Sequence, residues 1–166
     1  MTNDHPDDTE LDRRLTRLED KQEIRELKYR YCYYFHEMNW DSWKELFAED
    51  ATVVVEREAI GTLEGPDGLD EFAEIVEGSY QWLIHMVHNP VIEIDGRRAT
   101  GKWVFEVPAV LEDGTPQWLS GIYDEEYEVV DGEWKYTKVH GSFNYRADYD
   151  EGWADEIPPN RETRYE

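Results

Sequence analysis

The sequence has little cysteine, few basic residues and no long apolar run, and each shortage excludes a class of protein. Cys32 is the only cysteine among 166 residues, so no intramolecular disulfide can form, and a reducing, cytoplasmic location is expected. No apolar run approaches the roughly 18–20 residues needed to cross a bilayer, and the acidic N-terminus lacks the apolar segment of a secretory signal. Only 17 basic residues oppose 40 acidic ones, and a net charge of −23 repels nucleic acid and anionic lipid.

Aromatic residues, by contrast, are abundant. They make up 14% of the chain, with seven tryptophans and eleven tyrosines, and hydrophobic residues make up 39%. This composition is too apolar for a disordered chain, and the length suits one domain with a substantial core. The acidic residues are spread along the whole chain, which favours adaptation to high salt; an acidic protein of ordinary salt is the alternative.

The apolar spacing predicts helices first and strands afterwards. A long helix is expected from Leu11, with an interruption near residues 19–22, and a shorter helix over 40–47 with Asp41 as its N-cap. A strand in "ATVVVE" and a helix in "GPDGLDEFAEIVEG" come next. Asp-Gly turns then separate four predicted strands, at 82–94, 98–111, 117–130 and 133–145. This order predicts an α+β fold built on an antiparallel sheet.

The predicted domain covers residues 11–147. The first ten residues are polar and are expected to be disordered, and residues 148–166 form an acidic, proline-containing arm.

The stretch "QWLIHMVHNP" places two histidines in an apolar strand. Because side chains alternate along a strand, His85 and Asn89 share a face with Leu83 and Val87. At least one histidine is therefore expected to point inward, either as a hydrogen-bonded structural residue or as an acid/base.

The predicted strand 117–130 carries an acid on its apolar face. Asp124, Glu126 and Glu128 share the solvated face, whereas Glu125 lies between Tyr123 and Tyr127. An inward carboxylate is costly unless it is paired or protonated, and His85 is the expected partner.

Three segments together resemble the SnoaL-like branch of the nuclear-transport-factor-2-like superfamily, which includes scytalone dehydratase and bile-acid dehydratase. They are "IRELKYRYCYYFHEMNWDSWKELFAEDATV", "HMVHNPVIEIDGRRATGKW" and "GIYDEEYEVVDGEWKYTKV", and the likeness spans roughly residues 20 to 145. The resemblance implies a cone-shaped α+β barrel, a curved antiparallel sheet wrapped around helices, with one deep pocket. It also implies a homodimer or homotrimer formed through the sheet.

The resemblance assigns roles to particular residues. His85 matches the family's general acid/base histidine, Asn89 an asparagine four residues later, and Tyr31 a tyrosine of the first helix. His36 stands where the dehydratases have an aspartate, and Val55 stands where they have a pocket tyrosine. Ala109 replaces the second histidine of scytalone dehydratase. The candidate catalytic residues are His85, His36, Tyr31, Tyr123 and Glu125, and the candidate substrate-binding residues are Asn89, Trp103, Phe105, Val55 and Tyr127.

The function expected from these residues is a cofactor-free lyase or isomerase. His85 would transfer a proton on a small hydrophobic, oxygenated cyclic substrate while tyrosines stabilise the developing negative charge. The alternative is a non-catalytic binding protein or the small structural subunit of a ring-hydroxylating oxygenase.

No metal is expected, because His85 and His88 point to opposite faces of a strand and no cysteine cluster exists. Glycine-rich phosphate loops are absent from the sequence as well.

The charge leads to a first prediction. If the acidity is an adaptation to salt, the melting temperature should be clearly higher at about 3 M KCl than at about 0.1 M, because salt screens the self-repulsion. Differential scanning calorimetry at both concentrations measures this, and equal melting temperatures would reject the adaptation.

Overall fold

The computed structural model describes residues 8–55 and 61–155. The three helices are α1 (Asp8–His36), α2 (Trp40–Lys44) and α3 (Gly65–Glu77). The strands are β1 (Phe47–Val55), β2 (Gly61–Glu64), β3 (Tyr80–Leu83), β4 (Met86–Asp95), β5 (Arg98–Leu111), β6 (Pro116–Val130) and β7 (Glu133–Asp148). The predicted α+β class is confirmed.

The strands form one curled, mixed sheet in the order β2-β1-β7-β6-β5-β3, and β4 also pairs with β5. The β1–β7 pair is parallel, whereas the other pairs are antiparallel, so the sheet is not wholly antiparallel as expected. Strands joined by short turns must run antiparallel, but β1 and β7 are separated by residues 56–132, and so long a connection permits a parallel pair.

The long hairpins follow the predicted turns. β5 has the predicted bounds, and β7 extends past the predicted end to Asp148. Asp131 and Gly132 between β6 and β7 both have positive φ angles, 51° and 90°. Two such residues in a two-residue loop indicate a type I′ turn, whose twist matches that of the flanking strands. The short strand β2 had no counterpart in the predicted elements.

Helix α1 is continuous, so the predicted interruption near residues 19–22 is wrong. No glycine or proline occurs between residues 8 and 36, and nothing there breaks the hydrogen-bonding pattern. The predicted cap of the next helix is also wrong. Asn39, rather than Asp41, caps α2, since its Oδ1 accepts a hydrogen bond from the Ser42 N–H at 3.3 Å.

The core lies between the helices and the concave face of the sheet. On α1, the inward side chains recur at helical spacing, from Ile24 and Leu27 to Tyr31 and Phe35. On β5, every second residue is buried, as the alternation predicted; these residues are Ala99, Gly101, Trp103, Phe105, Val107 and Ala109.

Pro108 divides the predicted strand 82–94 into β3 and β4. The Ile84 N–H donates to the Pro108 carbonyl at 3.2 Å, but proline has no N–H with which to complete the pair. The pairings Leu83–Ala109 and Val87–Phe105 keep one register across the gap. His85 therefore lies in the interruption but stays on the inward face, and it is the inward histidine that alternation required.

Asn89 does not share that face. A register shift falls between His88 and Val91, and Asn89 itself has a φ of 51°. The bulge ends the alternation, and the Asn89 side chain is exposed.

The two predicted terminal segments lie only partly within the described residues. Helix α1 already begins at Asp8, inside the segment expected to be disordered, and residues 1–7 lie outside the described part. Of the C-terminal arm, residues 149–155 form turns and bends, and 156–166 are not described. Among the described residues, no helix combines the length and the apolar character needed to cross a membrane.

Gly121 of β6 provides a test of this packing. A Cβ at this position would overlap the Ser142 carbonyl oxygen and the Phe105 ring. We expect Gly121→Ala to lower the free energy of unfolding by about 1–3 kcal/mol through overpacking, as measured by urea denaturation. Gly141→Ala is the matched control, because its Cβ would lie 3.3 Å from the nearest atom, in the Tyr123 ring. Equal losses in the two variants would contradict the packing described.

Candidate active site

A cavity of about 90 Å³ lies between α1, α3 and the concave face of the sheet. Most of its wall is aliphatic or aromatic. The polar side chains on the wall are Tyr31, Ser79, Tyr80, His85, Tyr123 and Arg146. Such a volume, well below the roughly 300–1,000 Å³ of drug-sized pockets, suits a small, compact and largely apolar molecule.

His85 is held on the cavity wall by aromatic rings. Its imidazole lies 4.4 Å from the Phe35 ring, centre to centre, and 6.4 Å from the rings of Tyr31 and Tyr123. The outer side of the residue is partly exposed, but Nδ1 is buried and has no hydrogen-bond partner within the described part of the chain. Burial, then the nearby charges of Lys28 and His36, lowers the pKa of His85 to about 3. The imidazole is therefore neutral at pH 7 and able to accept a proton.

Glu125 is paired with Lys28 and not with His85. The Lys28 Nζ lies 2.5 Å from Glu125 Oε1, and neither side chain has any exposed surface. The Tyr127 hydroxyl donates to the other carboxylate oxygen, and the Trp103 Nε1–H donates to the Tyr127 hydroxyl at 3.1 Å. The expected inward carboxylate is thus present, but its charge is balanced by a residue 97 positions earlier in the chain.

The Lys28 ammonium also contacts two tyrosines of the cavity wall. It lies 3.6 Å from the centre of the Tyr123 ring and 4.1 Å from that of Tyr31, within the range of cation–π attraction. The ion pair therefore supports these rings from behind. Burial, and to a smaller extent the Glu125 charge, raises the pKa of both hydroxyls, so both remain protonated and can donate hydrogen bonds.

His36 lies away from the cavity wall. Its Nδ1–H donates to the Leu83 carbonyl at 2.8 Å, which ties the end of α1 to β3. Its ring lines an outer groove on the other side of His85, together with Tyr29 and Tyr33. The charge of His36 contributes to the lowered pKa of His85.

The remaining predicted residues divide into three locations. Phe105 and Val55 line the cavity, whereas Trp103 and Tyr127 lie behind it in the hydrogen-bonded group around Glu125. Asn89 is on the surface. The structure therefore brings His85, Tyr31, Tyr123, Phe105 and Val55 together around one cavity, and their roles there stay predictions.

Two basic residues of this region were not among the predicted ones. Lys28 falls on the apolar face of α1 with Ile24, Leu27 and Tyr31, and a lysine at such a position signals an internal partner. Arg146 lies just past the predicted end of the last strand, and its Nε–H donates to Gln117 Oε1 at 2.8 Å. It brings a positive charge to the cavity wall.

Within residues 8–55 and 61–155, no three or more histidine, cysteine, aspartate or glutamate side chains are grouped so that they could hold a metal ion. Cys32 is buried, and burial raises the pKa of its thiol to about 11, so it is an unreactive core residue at neutral pH.

Residues 16–140 match the SnoaL-like domain. The chain belongs to the SnoaL-like domain family. A curved mixed sheet around helices is also the fold of the nuclear-transport-factor-2-like superfamily, so the predicted resemblance and the cone-shaped fold are both confirmed.

Individual relatives add chemical context. Over 91 residues the chain is 32% identical to hexachlorocyclohexane dehydrochlorinase 1 of Sphingobium indicum. The matched segment covers 53% of this chain and 59% of that protein. The chain thus matches a little over half the length of this curated relative. The crystal structure of a type 2 hexachlorocyclohexane dehydrochlorinase superposes with a TM-score of 0.75 at 25% identity, covering 81% of this chain and 91% of that one. A scytalone dehydratase-like protein from Novosphingobium aromaticivorans gives a TM-score of 0.74 at 20% identity, with coverage of 81% and 90%, and shows the same fold. The first two of these relatives are dehydrochlorinases, and the third shows the fold alone.

The buried ion pair leads to a stability prediction. Lys28→Met would leave the Glu125 carboxylate buried without a counter-charge, and we expect a loss of about 3–5 kcal/mol in the free energy of unfolding. The double variant Lys28→Met/Glu125→Gln should lose less, because no charge is left unpaired. Lys102→Met, which breaks the exposed pair with Asp124, is the control and should have a small effect. Urea denaturation measures all three, and a double variant less stable than the single one would contradict this account.

Proposed function

We propose that this protein is a lyase that performs a cofactor-free β-elimination on a small hydrophobic ring compound. His85 removes a proton from a carbon of the substrate, the electrons of the C–H bond form a double bond, and a leaving group departs from the neighbouring carbon with its electron pair. The imidazolium then gives its proton to the departed group or to solvent, so His85 is neutral again, the products are an alkene and one molecule of acid or water, and atoms and charge balance. The observation that carries the proposal is a neutral imidazole on the wall of an apolar cavity, beside two protonated tyrosines and an arginine.

The base is His85. Its ring is neutral at pH 7 and lies among the rings of Phe35, Tyr31 and Tyr123, which keep water away from the reacting bond. The burial that lowers the pKa of His85 makes its imidazole a weaker base than it would be in water. The same apolar surroundings keep water from competing with a bound substrate for the free nitrogen.

The opposite side of the reaction needs groups that stabilise negative charge. Tyr31, Tyr123 and Arg146 line the cavity. In this function the tyrosine hydroxyls donate hydrogen bonds to the substrate, and the guanidinium supplies a positive charge. Tyrosine suits an oxygen next to the reacting carbon, and the guanidinium suits a departing halide or hydroxyl. If the proton returned to another carbon before a group departed, the same residues would shift a double bond, which is the isomerase form of this chemistry.

The cavity points to the type of substrate. Its wall is mostly aliphatic and aromatic, with side chains from β1, α3 and β5. The relatives of this chain include a hexachlorocyclohexane dehydrochlorinase and a scytalone dehydratase-like protein. A six-membered ring with a halogen or a hydroxyl next to an acidic C–H would meet both the apolar wall and the few polar groups.

The central test is His85→Ala. Loss of the base should lower kcat by about 10²–10⁴-fold, measured as halide release from chlorinated cyclohexanes and as enone absorbance from cyclic β-hydroxyketones. His88→Ala is the matched control, since His88 is exposed on the other face of the strand and lies 3.6 Å from Glu106. Full activity in His85→Ala, with circular dichroism unchanged, would remove His85 from the mechanism.

The pH dependence provides an independent check. Because the pKa of His85 is lowered to about 3, the base is neutral across the working range, and the acid limb of log kcat/KM should lie below pH 5. Lys28 contributes to that lowering, so Lys28→Met should move the limb to higher pH in the fraction that remains folded. A wild-type limb near pH 6.5 that does not move in this variant would count against the proposed base.

A second candidate function is binding without turnover. It is favoured by one observation, namely that no carboxylate orients His85, because Glu125 is held by Lys28 and the Nδ1 of His85 is unpaired within the described chain. A thermal-shift screen with the same ring compounds separates the two functions. Ligand-induced stabilisation without product in the wild type would favour binding, and product formation would favour the lyase.

A further inference from the structure

The first half of α1 projects an apolar edge that nothing in the described chain covers. Leu11, Leu15 and Leu18 are 55%, 53% and 65% exposed. They recur at spacings of four and three, so they form one line along the helix, and Gln22 continues it. The core-facing residues of the same helix, Ile24 and Leu27 among them, lie on the other side, so a partner could approach this line without meeting the domain.

The charges beside this line follow a regular pattern. If Leu15 and Leu18 are assigned to positions a and d of a heptad, the e positions hold Asp12, Glu19 and Glu26. The g positions before the buried end of the helix hold Arg14 and Lys21. One flank of the leucine edge is therefore acidic and the other basic. Between parallel helices, each g residue meets the e residue five positions later in the partner, which pairs Arg14 with Glu19 and Lys21 with Glu26 of a second copy.

The charge of the helix as a whole agrees with this pairing. α1 holds seven acidic and seven basic residues, so the entire net charge of −23 comes from the rest of the chain. Two copies of most other surfaces would repel one another, whereas two copies of α1 would not. An antiparallel arrangement would place acidic flank against acidic flank and basic against basic, which disfavours it.

We propose that the first half of α1 pairs with the same segment of a second copy as a short parallel coiled coil. The seam consists of Leu11, Leu15 and Leu18 with Gln22, and the flanking charges set the parallel orientation. A polar side chain at an a position, such as Gln22, fixes the register of a seam of this kind. None of these residues lines the cavity, so the pairing is independent of the function proposed above.

The first test compares oligomeric state in variants that keep the fold. Leu15→Glu/Leu18→Glu should reduce the molar mass measured by light scattering from twice 19.8 kDa to 19.8 kDa, with unchanged circular dichroism. Val91→Glu is the matched control, because Val91 is an apolar side chain 60% exposed on β4, where pairing through the sheet would occur. A wild type of any mass other than that of a dimer, or a dimer that only Val91→Glu separates, would overturn the proposal.

A charge exchange tests the orientation. At about 0.15 M salt, where the screening length is about 8 Å, Arg14→Glu and Glu19→Arg should each weaken dimerisation about tenfold. The double variant should restore the wild-type dissociation constant, because the g–e pairs form again with exchanged signs. Residues 14 and 19 are five apart in one helix and do not face each other, so restoration reports contact between two copies. Failure of the double variant to recover would overturn the parallel arrangement.

Discussion

Two opposite charges meet in the interior of this protein, where Lys28 of α1 contacts Glu125 of β6 and neither side chain has any exposed surface. Each charge alone would be strongly unfavourable there, so the pair favours the relative position of helix and sheet in which the two side chains meet. The Tyr127 hydroxyl and the Trp103 indole extend the pair, while the Tyr31 and Tyr123 rings pack on the ammonium. The cavity wall is therefore built on a charged layer, and the placement of its tyrosines follows from that layer.

The same pair determines the electrostatic state of the cavity. Glu125 is committed to Lys28 and does not assist His85, and the lysine charge instead helps to keep the imidazole neutral. A carboxylate–histidine dyad would strengthen the base, whereas this arrangement supplies a free neutral nitrogen and hydroxyl donors. The elimination proposed above would therefore depend on exclusion of water and on charge stabilisation more than on a strong base.

Much of the fold follows from local patterns, and the site depends on long-range ones. Strict alternation in β5 and the Asp-Gly turns predicted the central hairpins, and alternation predicted that at least one of the two histidines points inward, which His85 does. The Asn89 bulge and the β1–β7 parallel pair depend on tertiary packing, so no short window of sequence predicts them. The partner of Glu125 was missed because it lies 97 residues away, although a lysine on the apolar face of α1 was a visible sign. Arg146 was missed because strand β7 continues beyond the region where its alternation is regular.

Pro108 has a consequence beyond its effect on strand pairing. The segment carrying His85 lies between two edge strands, and the proline opposite cannot bind it with a second backbone hydrogen bond. Substitution of His85 would thus disturb few of the backbone hydrogen bonds that hold the sheet together. A position that takes part in few backbone bonds can accept different side chains while the sheet persists, which is one physical way in which a single cone-shaped framework can host different chemistries.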